Sequence, residues 1–258
     1  MNLAGYNLYD FIDFPNRAIR EEAKSVFFDA KSLVLDKSSF IKRNKSVFNE
    51  PVTGLFNNWD SEADLEKNVS FDEIMRRINN QISMCDLTLL SLYNYYNKMQ
   101  KYPIEDERYI LYEVLYRYEC MLACINYYNI QEKYKTIIRK LYGITPQKTK
   151  SNSRFVDAIE KEEDCYLASF ASACKDTFNN KDYKFVINVR NDETHNIPCL
   201  DEITFQKKFC NGAHLGGVYY VKDNQMLYEC IQGAYKALVA VKNAVQTILD
   251  NKMINKKL

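Results

Sequence analysis

What constrains this chain most is what it lacks. Only seven glycines and five prolines punctuate 258 residues, about 5% of the chain against roughly 12% in ordinary usage. A β-sandwich or barrel turns roughly every 8–12 residues and needs such residues to do it. The expectation is therefore an all-α protein built as an antiparallel helical bundle. Hydrophobic residues make up 47% of the chain, enough to fill a core and to exclude wholesale disorder. The length suits one large domain, or one domain with an appendage.

Apolar residues spaced by three and four place the helices. Residues 16–36 follow Pro15 and carry Ala23, Val26, Phe27, Ala30, Leu33 and Val34 at that spacing. Residues 37–69, with the single tryptophan Trp59, read as a long connection holding one short helix at most. Ser70 and Glu73 form a capping box. It opens a helix to about residue 101 with Ile74, Ile78, Ile82, Cys85, Leu89 and Leu92 on one face. A second long helix runs from near Glu105 to Leu141, with Asn129 as a candidate interruption and Gly143 as the stop. After the polar linker 145–153, helices are expected at about 153–178, 181–196 and 225–250. Three glycines and the runs ITF and VYYV suggest a small β-hairpin near 201–221. The expected organisation is an N-terminal helical extension, 1–69, and a bundle over 70–258.

The charges nearly cancel, 35 Lys and Arg against 34 Asp and Glu, so global charge does not announce a nucleic-acid binder. Locally the balance is uneven. Residues 131–154 carry Lys133, Lys135, Arg139, Lys140, Lys148, Lys150 and Arg154 against the single acid Glu132. Such a run is a candidate track for RNA phosphates, with Lys133, Lys135, Arg139, Lys140, Lys148 and Lys150 as its contacts. The alternative is a solvated helix end followed by a linker. The acids of 157–164 read as a solvated helix face.

Eight cysteines without a CxxC pair, and only two histidines, do not make a zinc site. Cys120 and Cys124, one helical turn apart, read as small core residues. The tyrosine pairs, Tyr127–Tyr128 among them, read as packing rather than base stacking. No secretion signal and no apolar run of membrane-spanning length is visible, so a cytoplasmic location without a membrane partner is expected. No Gly-rich phosphate loop and no Glu-x-x-His metal motif occurs, and no cofactor is called for.

With two histidines the search for chemistry is short. His214 sits in NGAHLGG and reads as a surface-loop residue. His195 is five residues after Arg190, and Asn191 stands beside that arginine. Arginine supplies a permanent charged fork for a phosphate, and histidine exchanges a proton near neutral pH. Those are the parts needed to cleave RNA through its own 2′-hydroxyl, leaving a 2′,3′-cyclic phosphate. Five helical residues turn through about 500°, so the two side chains start about 140° apart on an ideal helix. The motif is therefore expected at a helix end, or completed by a second chain.

Arg190-Asn191-x3-His195 resembles the R-x4-6-H signature of the HEPN superfamily, in its form with a polar residue after the arginine. The helices between about 70 and 250 fit that superfamily's all-α architecture. The chain looks more like its larger stand-alone prokaryotic members than its small toxin domains. The resemblance implies a metal-independent endoribonuclease with its site at a homodimer interface, acting on RNA in a toxin, antiviral-defence or RNA-processing role. It further implies His195 as general acid and base, Arg190 as the group stabilising the scissile phosphate, and Asn191 as polar support. A regulatory or antitoxin protein is the implied partner. Some members lack activity and serve as interaction modules, and that alternative stays open.

Overall fold

The structure is a computed structural model. It describes residues 2–3, 6–7, 17–26, 30–36, 62–144, 152–162, 164–195, 204–210, 213–220 and 224–251, in places for the backbone alone. This part is mostly α-helical. The helices are α1 (Arg17–Val26), α2 (Glu62–Met99), α3 (Glu107–Tyr142), α4 (Asn152–Ile159), α5 (Cys165–Asn179), α6 (Lys181–His195) and α7 (Asn224–Asn251), with a 3-10 turn at Ala30–Leu33. Two short strands, β1 (Asn2–Leu3) and β2 (Tyr6–Asn7), pair antiparallel. So do β3 (Thr204–Cys210) and β4 (Ala213–Tyr220), whose register is irregular between Gln206 and Lys208.

Several helix boundaries differ from the sequence expectation. Helix α2 begins at Glu62, so Ser70 is an interior residue and not a cap. The boundary expected between 69 and 70 falls inside this helix. Helix α3 passes through Asn129 unbroken. One asparagine costs a helix about 0.5–0.7 kcal/mol, and the fully buried Tyr127, Ile130 and Tyr134 around it outweigh that. Gly143 ends α3 in the left-handed region at φ 64°. The Ile144 N–H then reaches back to the Arg139 carbonyl at 2.9 Å, which closes a Schellman turn.

The helix expected over 153–178 is two helices. Asp164 breaks it, with extended backbone and a carboxylate that accepts from Tyr166 N and Leu167 N at 2.8 and 3.2 Å. Its second oxygen accepts from the Tyr142 hydroxyl at 2.9 Å. Asp164 is thus an N-cap held by a tertiary bond, not part of a solvated helix face.

The chain divides into two compact units. The first gathers Met1–Asp29, Cys85–Tyr128 and Lys181–Ala234. Its core holds Leu92, Tyr116, Cys120, Cys124, Tyr183 and Val186, all at 0% exposure. Tyr96 stacks on Tyr228 at 4.5 Å, and the Tyr116 hydroxyl donates to the Asn224 carbonyl at 2.8 Å. Buried Asn126 donates to Thr88 at 3.1 Å. The hydroxyl-bearing rings thus pack and hydrogen-bond at once, as wide aromatic contacts between helices require.

The second unit gathers Ala30–Met84, Asn129–Asn180 and Tyr235–Leu258. Ile78, Ile137, Ile138, Phe155, Leu238 and Val245 fill it. Phe155 meets Phe170 edge-on, at 6.0 Å and 84°. Gln246 and Asp36 exchange two hydrogen bonds of 2.8 Å through their side-chain amide and backbone, fastening the segment after the 3-10 turn to α7.

A candidate site at the end of helix six

Helix α6 forms because fifteen residues without glycine or proline follow the Asn180 cap of α5. Asp182 adds negative charge to its first turn. Tyr183, Val186 and Val189 are buried at intervals of three. Arg190 lies seven residues after Tyr183 and so shares the buried side of the helix. It is half-buried, and so is Asn191.

Asn191 and Tyr128 both engage the Arg190 guanidinium. Its Nη1 donates to Asn191 Oδ1 at 3.1 Å. Its central carbon stands 4.4 Å from the ring centroid of Tyr128, on α3. A cation over an aromatic face at that distance is attracted by the ring quadrupole. The sequence expectation for Tyr128 is packing alone. Helical phase was the signal available for it, because Tyr127 is fully buried while Tyr128, 100° further round α3, is half-buried.

His195 is the last residue of α6. The winding stays helical up to it, so positions 190 and 195 remain about 140° apart about the axis. The motif does lie at a helix end, but a helix end alone does not bring the two positions onto one face. His214 is not in a loop. It belongs to β4, opposite Phe209.

Among the described residues, the cations of the basic segment do not share one surface. Lys135 is only 2% exposed. Its Nζ pairs with Glu132 and stands 5.8 and 5.7 Å from the ring centroids of Phe155 and Phe178. Burial holds this amine below its usual pKa, with Glu132 working the other way. A phosphate in solvent does not reach it. Half-buried Lys133 points its Nζ toward Gln81 at 3.5 Å, and burial and then Arg77 lower its pKa. Arg139 lies 5.0 Å over Phe155 and is half-buried. Lys140 is exposed, whereas Lys148 and Lys150 fall outside the described residues.

Cys85, Cys120, Cys124 and Cys174 are buried core residues, whereas Cys165 is exposed and Cys230 half-buried. Burial pushes the Cys120 and Cys174 thiols up to about 12 and raises Cys85 as well, which removes the thiolate a nucleophile needs. Among the described residues no group of three or more His, Cys, Asp or Glu could hold a metal ion, and no helix is long and apolar enough to cross a membrane. Two cavities contain no motif residue. One of about 420 Å³ lies beside Glu22, Tyr93 and Lys101, and one of about 530 Å³ beside Tyr142, Arg154 and Asp157. Compared with protein-family models, with curated proteins and with solved structures, the chain matches none.

Proposed function

We propose that this chain is a metal-independent endoribonuclease of the HEPN type that works as a homodimer on RNA. The observation that carries the reading is Arg190. This arginine is half-buried, steadied by an asparagine and a ring, and about 1.4 turns from a histidine that closes its helix. A phosphate-binding arginine gains from being held in place before its ligand arrives.

In the proposed reaction the His195 imidazole takes the proton of a 2′-hydroxyl. The 2′-oxygen attacks phosphorus, the bond to the 5′-oxygen breaks, and that oxygen takes a proton from an imidazolium. Arg190 offsets the charge that builds on the phosphoryl oxygens, and Asn191 orients the guanidinium. The products are a 2′,3′-cyclic phosphate and a 5′-hydroxyl. The 140° between positions 190 and 195 makes two copies the economical way to assemble one site. A toxin, antiviral-defence or RNA-processing role follows from the same reading, as does a regulatory or antitoxin partner.

A second reading is a HEPN-like bundle without catalysis that binds a partner. It is favoured by Asp192 and Glu193, two carboxylates inside the motif, and by the internal partners of Arg190. Incubating a mixed RNA pool in EDTA with wild type, His195→Ala and Arg190→Ala separates the two. Cleavage by wild type alone, with cyclic-phosphate ends, supports the ribonuclease. Equal behaviour of all three ends it.

A further inference from the structure

We propose that Tyr128 is the positioning residue of the Arg190 site, and that it acts through the face of its ring rather than through its hydroxyl. The inference rests on the ribonuclease reading and deepens it. An arginine side chain is long and freely rotating, so a phosphate must immobilise it on binding unless the protein has done so first. The distance of 4.4 Å from guanidinium to ring centroid does part of that work, and the 3.1 Å bond to Asn191 does more.

The two restraints differ in kind. Asn191 takes up an N–H donor. The ring holds the cation through its quadrupole and needs none of the donors that recognise phosphate oxygens. Arg190 sits on α6 and Tyr128 on α3 within one compact unit, so the ring fixes the guanidinium to a second helix.

The test is single-turnover cleavage of a labelled RNA in EDTA by wild type, Tyr128→Leu, Tyr128→Phe and Arg190→Ala. Tyr128→Leu should lose about tenfold in rate with little change in KM. Tyr128→Phe should restore most of that loss. Pentafluorophenylalanine at 128 keeps the shape of the ring and inverts its quadrupole, so it should behave like leucine. This variant decides the matter even where Tyr128→Leu does not fold. Full activity of the pentafluoro or the leucine variant overturns the role of Tyr128 while leaving the ribonuclease standing. A wild type that does not cleave RNA, or an Arg190→Ala enzyme that cleaves as well as wild type, overturns both.

Discussion

Asp182 of α6 occupies the space where residue 233 of α7 would carry a side chain. A Cβ built at Gly233 would overlap the Asp182 carboxylate, 2.6 Å from its Cγ and 3.0 Å from its Cβ. The glycine is there because the helices need this close approach, although a helix interior would favour alanine by about 1 kcal/mol. Gly233→Ala should therefore destabilise the protein by about 1–2 kcal/mol net in urea unfolding. In an Asp182→Ala background the same change should be neutral or stabilising. Additive costs in the double variant would show that Asp182 is not the obstacle.

Burial of Glu119 on α3 gives the stability a pH dependence. Burial raises its carboxyl from 4.5 to about 7. Below about pH 4.5 the group is neutral in both folded and unfolded chains and costs nothing. Between there and pH 7 the unfolded chain ionises first, so the folded state loses stability as pH rises, and the loss is complete above 7. Relative to Glu119→Gln, wild type should match at pH 4.5 and be weaker by about 2–3 kcal/mol at pH 8. Denaturation midpoints across that range check it. Parallel profiles for the two proteins would contradict it.

Much of the helical content was legible because the scarce glycines and prolines mark boundaries. Gly143 closes α3, and α6 ends at His195, three residues before Pro198. The start of α2 was not legible, because Ser70-x-x-Glu73 has the composition of a cap whether or not a helix already runs through it. Nor was the break before α5. Lys161, Glu162 and Glu163 are good helix formers, and the Tyr142 hydroxyl that engages Asp164 comes from a distant helix. The site divides the same way. Arg190, Asn191 and His195 stand out as a local pattern, whereas the partnership of Arg190 with Tyr128 arises only when α3 and α6 pack. The basic run misled because charge counts along a sequence do not register burial, and Lys135 is inside.

Asp164 carries a prediction of its own. Its carboxylate caps α5 and accepts from Tyr142. Asp164→Ala should cost about 1–2 kcal/mol, from the lost cap and the orphaned hydroxyl. Asp164→Asn keeps a capping oxygen and should recover about half. In the Tyr142→Phe background the alanine cost should shrink by the hydroxyl share. Equal losses for alanine and asparagine in thermal unfolding would show that the cap is not what holds α5.

Lys135 and Lys140 are neighbours in the basic segment with opposite surroundings, one buried beside Glu132 and two phenyl rings, the other exposed. On a phosphate track, Lys140→Ala should weaken RNA binding and lower the slope of log affinity against log salt by about 1. Lys135→Met should leave both unchanged, while stability should fall because Glu132 and the two rings lose their cation. Anisotropy titrations over a salt series distinguish them. A Lys135→Met protein that binds RNA as weakly as Lys140→Ala would mean that the buried lysine reaches phosphate after all.

The angle between Arg190 and His195 predicts how a dimer shares its sites. With the two positions about 140° apart on α6, a site that takes its arginine from one subunit and its histidine from the other avoids any unwinding. Arg190→Ala and His195→Ala are then each inactive as homodimers. When they are unfolded together and refolded as a mixture, half of the dimers are mixed under two-fold symmetry. Each mixed dimer owns one site with both native groups, so cleavage should return to about a quarter of wild type. A site built from the arginine and histidine of one subunit gives no recovery, because the two mutations then disable both sites of every mixed dimer. Recovery near a quarter, measured against equal amounts of refolded wild type, is the outcome expected of the shared site.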